Sequence, residues 1–225
     1  MSTSRAAQAD SRTRRAKGER TRNRILQAVF NVIANEGLRG VTHRAIAREA
    51  GVQLSLTTYY FKDIESLIGE AFEQFSEHMR PDIEQLWQRI FTRLDAYNGA
   101  QLRKREVRET LAGYLAGEAS DYILAQVREK PVGLAVEQIF FTQARLSPEL
   151  RARVEAHRAR LLAPLVDLCS RFNRHDPEID AELLLDTITS MEYQALGIPV
   201  DQVNDEHVQR LMRRHVGWIL GLQRF

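Results

Sequence analysis

Apolar residues recur at i, i+3 and i+4 from Ile25 to Leu222, and no segment alternates apolar with polar residues between turn signals as a half-buried strand does. The chain is therefore expected to be all-α. Its first amphipathic stretch (Ile25, Leu26, Val29, Phe30, Ile33, Ala34) stops at Gly37 in NEG, where a helix end favours a residue that tolerates positive φ. A second helix follows, capped by Thr42, with Ile46, Ala47 and Ala50 inward; the small Ala47 lets a crossing helix come close. Val52 and Phe61 are placed to close this small core against the first helix.

Residues 41–61, VTHRAIAREAGVQLSLTTYYF, thus read as two short helices meeting at Gly51, with Thr, Arg, Gln, Ser and Tyr on the outer face. A tight turn of this kind presents its second helix to a major groove, and the pattern is a helix-turn-helix. Charge segregates in the same sense. Residues 1–62 hold 12 Lys/Arg against 4 Asp/Glu, whereas residues 63–225 hold 20 against 26. The overall +2 conceals a basic head and an acidic body, as expected if only the head faces phosphates.

Beyond the head, Asp63 is placed to cap a fourth helix from Ile64 to about Met79, with Leu67, Ile68, Ala71, Phe72 and Phe75 on its apolar side. Pro81 either opens a new helix at Asp82 or interrupts a continuing one. YNGA at 97–100 is a loop, followed by a long helix from about Leu102 to Arg128 that Lys130-Pro131 ends. Ser147-Pro148-Glu149 and Asp176-Pro177-Glu178 each place a capping oxygen, a first-turn proline and an acid at the positive dipole end. Gly197-Ile198-Pro199 reads as a helix stop, and Asn204 starts a last helix to about Gln223, for nine or ten helices in all.

The last two helices carry Ile179, Leu183, Leu184, Ile188, Met191 and Leu196, then Val208, Leu211, Met212, Val216, Trp218, Ile219 and Leu222. Stripes this wide fit packing on their own domain at one side and on a second copy at the other, against the alternative of a wholly internal core. A homodimer through these helices is expected, because groove readers of this size bind paired half-sites about 34 Å apart.

At 225 residues, 44% of them hydrophobic, the chain can bury a small domain plus a larger one. No apolar run approaches the ~20 residues of a membrane span, and no apolar stretch follows the Arg/Ser-rich start, so a cytoplasmic, nucleoid-associated protein is expected. Residues 1–19 lack apolar periodicity and carry Arg5, Arg12, Arg14, Arg15 and Lys17; they read as a flexible basic arm, either DNA-contacting or merely solubilising. Cys169, the sole cysteine, allows neither an internal disulfide nor a multi-cysteine zinc site and reads as a buried, inert thiol. Glu-x-x-His, Gly-x-Ser-x-Gly, the Walker loop and Gly-x-Gly-x-x-Gly do not occur. No catalytic residue, metal or cofactor is expected, and Gly113-x-x-x-Gly117 reads as close helix packing.

Thr42, Ile46, Ala47, Ala50-Gly51-Val52, Tyr59, Phe61 and Leu67 fall where the TetR (tetracycline repressor) family of bacterial transcription regulators has T, I, A, AGV, Y, F and L. The stretch from about residue 20 to 67 resembles that family's DNA-binding domain; beyond it, only helix number, length and order are similar. There are departures: Tyr59-Tyr60-Phe61 replaces the common aromatic-His-Phe ending, Ile64 stands where a phosphate-binding Lys is frequent, and Leu56 replaces a small or polar residue. Lys62 is placed to take the missing charge, and Leu56 suits an apolar contact such as a thymine methyl.

The resemblance implies an arm over 1–19, a DNA-binding domain over 20–66 and a helical effector-binding and dimerisation domain over 67–225. Arg44 is the leading base reader, with Gln53, Leu54, Ser55, Leu56, Thr58 and Tyr59 facing the groove, and Thr42, His43, Tyr60 and Lys62 holding phosphates. It also implies a cavity for a small hydrophobic or aromatic effector, for which His78, Trp87, Phe91, Tyr114, Glu118, Tyr122, Phe140 and Gln143 are the candidate lining. The expected function is a ligand-responsive transcriptional regulator, a repressor released from a palindromic operator when effector displaces the fourth helix. The alternative is an architectural or cell-division factor of the same fold that answers to a protein partner.

Overall fold

The computed structural model describes residues 2–142 and 147–222, with side chains from residue 15 onward. Among the described residues are nine α-helices, two short 3-10 turns and no strand. The helices are α1 (Ser2–Gly40), α2 (His43–Ala50), α3 (Leu54–Tyr60), α4 (Ile64–Asp95), α5 (Arg105–Glu129), α6 (Pro131–Thr142), α7 (Pro148–Ser170), α8 (Pro177–Ala195) and α9 (Asp205–Ile219). They form two compact units: a head of residues 1–75 and 139–153, and a body of residues 76–138 and 154–225.

In the head, Ile25, Val29 and Ile33 of α1, Ile46 of α2, Phe61, and Leu67, Ala71 and Phe72 of α4 are all buried and make up the core. The apolar stripe of α4 thus belongs to the head as far as Phe75, beyond the limit expected at residue 66. Phe72 is the reason, since its ring packs 4.5 Å from that of Phe140, which brings the end of α6 into this unit. α1 also reaches back to Ser2, so the stretch expected as an arm over 1–19 has helical backbone. Its Ala, Arg, Gln and Lys are strong helix formers, and no proline interrupts them.

Gly37 breaks α1 with φ 68° and ψ −179°, a combination that glycine alone adopts cheaply. Thr42 Oγ1 accepts from the Ala45 amide at 3.1 Å, opening α2 as expected. Gly51 closes that helix in the left-handed region at φ 61°, ψ 42°. The Arg24 guanidinium of α1 donates to the Ala50 carbonyl at 2.5 Å, so the end of α2 is satisfied from outside the helix.

In the body, α5 packs along α9 and α8, burying Leu111, Leu115, Ile123 and Met212. α4 runs unbroken through Pro81, whose ring nitrogen leaves the Glu77 carbonyl without its helical donor. Asn98 Oδ1 accepts from the Ala100 and Gln101 amides and shapes the expected loop; a 3-10 turn over Gln101–Arg103 then delays α5 to Arg105. α7 and α8 begin at the two expected prolines, but only Ser147 caps with its side chain; at Asp176 the backbone carbonyl takes the Asp180 amide instead.

Gly197 is not a left-handed stop: positive φ among the described residues is confined to Gly37, Gly51 and Gly221, and α8 is left through Leu196 in the right-handed region. Asn204 Oδ1 caps α9 by accepting from the His207 amide at 2.9 Å, and α9 ends at Ile219, short of the expected Gln223. Cys169 is fully buried, which pushes its thiol up to about 12.

Thr42→Ala is expected to destabilise the protein by about 1 kcal/mol, the usual value of an N-cap, with Thr42→Ser close to the native chain. Urea unfolding of the three proteins measures this.

Candidate functional site

Two surfaces or cavities carry the chemistry, one in each unit. On the head, α2 and α3 divide their residues by face. Thr57, fully buried, donates its hydroxyl to the Leu54 carbonyl at 2.8 Å and turns α3 so that its other positions look outward. Thr42, Arg44, Gln53, Leu54, Ser55, Thr58, Tyr59 and Lys62 are all exposed. His43, Leu56 and Tyr60 are half-buried, and His43 Nδ1 has no hydrogen-bond partner among the described residues.

The rings of Tyr59 and Tyr60 meet edge to face, 5.2 Å apart, but differ in exposure. Tyr59 is 79% exposed, whereas the Tyr60 hydroxyl lies over Gly18 of α1, 3.3 Å from where a Cβ there would sit. Arg48 pairs with Glu36 of α1 and Glu49 accepts from the Asn31 side-chain amide, while Arg44 stands exposed at the start of α2.

The body holds a narrow cavity with about 80 Å³ of free space. Its wall is apolar: Met79, Ile83, Leu86, Trp87 and Ile90 from α4, Leu115 from α5, Leu161 and Leu165 from α7, Leu184 and Ile188 from α8. Tyr122, Glu137, His157, Thr189 and Glu192 supply the polar groups. A wider cleft of about 600 Å³ along α4 and α7 shares Ile83, Trp87, His157 and Leu161 with it, so these four side chains form a common wall.

The polar groups form a chain rather than a scatter. Arg160 donates to Ser76 Oγ at 2.6 Å, Ser76 Oγ lies 2.8 Å from His157 Nδ1, His157 Nε2 lies 2.9 Å from Glu137 Oε1, and the Tyr193 hydroxyl donates to Glu137 Oε2 at 3.1 Å. The order resembles a nucleophile, base and carboxylate relay. Ser76, however, sits within α4, is 4% exposed and accepts from Arg160, so its setting is that of a structural tie. Glu192 faces the same cavity yet its Oε1 has no partner among the described residues. Burial, then the neighbouring Glu137, hold the Glu192 carboxyl well above the usual carboxylate range; burial likewise raises the Tyr122 and Tyr193 phenols.

Of the expected cavity residues, Trp87 and Tyr122 line it. Phe91 lines the neighbouring cleft, stacked 5.5 Å from Trp87. The others lie elsewhere: His78 is exposed, Tyr114 lies under Arg93, and Glu118 pairs with Arg89. Phe140 packs on Phe72 in the head, and Gln143 lies outside the described residues. Aromatic content was a poor guide because most rings serve core packing. Ser76, Glu137, His157 and Glu192 were missed, although a lone acid in the apolar run VGLAVEQIFF of α6 is the kind of signal that finds such a group.

Comparison with known proteins agrees with the head. Residues 25–71 match the family described as "Bacterial regulatory proteins, tetR family". The HTH-type transcriptional regulator PksA of Bacillus subtilis (strain 168) is 23% identical over 198 residues, covering 88% of this chain and 89% of PksA. Among solved structures, a transcriptional regulator from Rhodococcus sp. Rha1 superposes with a TM-score of 0.64 at 19% identity, over 89% of this chain and 96% of that one. The multidrug binding protein EbrR complexed with ethidium superposes at 0.53 with 22% identity, over 87% and 98%. At these identities the structural likeness is one of fold.

The head of the chain, over residues 25–71, matches the tetR family of bacterial regulatory proteins.

Because the folded protein holds the Glu192 proton more tightly than the unfolded chain, stability falls as pH rises from the ordinary 4.5 towards the raised value. Glu137, Tyr122 and Tyr193 face the same group; the phenols, raised from 10.0, do not titrate in that interval. Glu192→Gln is expected to be more stable than the native chain at neutral pH by about 1–3 kcal/mol, the scale of an unsatisfied buried polar group, with the gap closing towards about pH 4. Paired urea titrations across that pH range measure the difference.

Proposed function

We propose that the protein binds a palindromic operator as a homodimer and is released, as a repressor, by a small hydrophobic or aromatic effector. The observation that carries the DNA reading is the sorting of α2 and α3 into a buried face around Ile46 and Thr57 and an exposed face bearing Arg44, Gln53, Ser55, Thr58 and Tyr59. Arg44 at the start of α2 reaches guanine O6 and N7 together, and Lys62 and Thr42 hold phosphates. Leu54, 44% exposed, suits a thymine methyl better than the half-buried Leu56.

Support for a second copy comes from α8 and α9. Leu184, Val208, Met212 and Val216 face inward, while Ile179, Leu183, Leu211 and Trp218 are exposed on the same two helices. Apolar side chains left outside a complete core are what a shared bundle buries.

The effector reading rests on the body cavity, which is apolar with a few polar fixers. With only about 80 Å³ free, an aromatic molecule enters by displacing wall side chains, and this links occupancy to conformation. Five of those side chains stand on α4, whose residues up to Phe75 belong to the head. The fold neighbour EbrR, complexed with ethidium, supports an aromatic ligand.

Three outcomes are expected. With genomic fragments selected on the purified protein, Arg44→Ala loses about 1–3 kcal/mol and its preference at one base pair, whereas Lys62→Ala weakens all sequences alike and lowers the salt slope. Unchanged discrimination in Arg44→Ala removes that residue from the reading role. Leu183→Glu with Leu211→Glu gives a monomer by light scattering and loses operator binding; a dimer that persists sets this interface aside. Effector weakens operator binding about five- to 150-fold, as coupling of 1–3 kcal/mol requires, and a ligand that occupies the cavity without changing operator affinity counts against release.

A further inference from the structure

Glu192 is a cavity residue whose chemistry the packing does not fully use. Its carboxyl is 3% exposed, faces the apolar chamber, and has an oxygen without a partner among the described residues. Glu137 beside it is spent, with one oxygen on His157 and the other on the Tyr193 hydroxyl. The cations nearest in the fold are also committed: Arg158 to Asp186, Lys130 to Asp82, Arg89 to Glu118, and Arg160 to Ser76. The chamber therefore presents an unpaired acidic group among apolar side chains, and the rings of Trp87 and Tyr122 line its wall.

We propose that this cavity selects an apolar or aromatic molecule bearing one protonated nitrogen, with the ammonium seated on the Glu192 carboxylate. The inference rests on the reading of the cavity as the effector site and names the chemistry of that effector. Burying a lone carboxyl is costly unless it is paired, and an ammonium supplies both the opposite charge and N–H donors for the orphaned oxygen. Ring faces attract a cation in the same dry space. Empty, the site holds Glu192 as the neutral acid; an entering ammonium keeps its own protons, and the Glu192 proton leaves to solvent.

The test uses the full chain and three probes of similar shape: phenethylammonium, propylbenzene, in which a methyl replaces the ammonium, and the anion 3-phenylpropionate. Binding is read by calorimetry without DNA. The native protein is expected to bind phenethylammonium at least tenfold more tightly than propylbenzene and to reject the anion. Glu192→Gln abolishes that preference while keeping propylbenzene affinity, and Glu137→Gln retains the preference. Glu192→Gln removes an unpaired buried acid, so folding is not at risk, and retained propylbenzene binding confirms an intact cavity. Propylbenzene or the anion bound in preference to the ammonium, or an ammonium affinity indifferent to Glu192→Gln, overturns the charge assignment and leaves the cavity reading standing. If none of the probes binds at millimolar concentration, the cavity reading fails and the assignment fails with it.

Discussion

A buried hydrogen-bond chain holds the body in register. From Arg160 through Ser76, His157 and Glu137 to Tyr193 it ties α7, α4, α6 and α8 at single points, each within 3.1 Å. Polar groups in so dry a setting are tolerated only when paired, and the pairing forbids the helices from sliding or rolling independently. Tyr193 is the informative member. With its hydroxyl held by Glu137, the roll of α8 is set, and the preceding residue, about 100° round the helix, is Glu192 facing the cavity. The unpaired acid is thus a consequence of the same tie that satisfies its neighbour.

The head uses a different economy. It has few buried polar groups and relies on caps and one cross-helix donor to finish its short helices. Thr42 opens α2, Gly51 closes it in the left-handed region, and Arg24 takes up the carbonyl at its end. Helices of eight and seven residues are too short to stand alone, so their stability comes from these ends and from the face they bury. Arg44, Gln53, Leu54, Ser55, Thr58 and Tyr59 are left exposed on this surface.

The two halves therefore differ in how much of their chemistry can be read along the chain. In the head, neighbours in space are neighbours in sequence: the cap, the glycine and the apolar spacing all lie between Thr42 and Phe61, so its helix ends and buried face were legible along the chain. In the body, aromatic content suggested five lining residues, of which Trp87 and Tyr122 face the cavity. Phe140 shows why the rest went astray. Its ring is consumed by Phe72 of the head, a pairing 68 positions apart that no local pattern encodes. The polar groups that do line the cavity come from α5, α6, α7 and α8, helices that only the fold brings together.

The amino-acid sequence by itself determined the helical class, the helix-turn-helix, most helix starts and the segregation of positive charge, because caps, glycines and 3.6-residue spacing act within a few residues. It also showed a surplus of apolar surface on the last two helices, since a stripe is visible however it is later used. Only the tertiary structure decided that α4 continues through Pro81, that its apolar stripe belongs to the head up to Phe75, and that His157, Glu137 and Glu192 converge on one cavity. Those outcomes depend on how helices far apart in sequence roll against one another, and roll is set by packing and buried hydrogen bonds rather than by anything a helix carries alone.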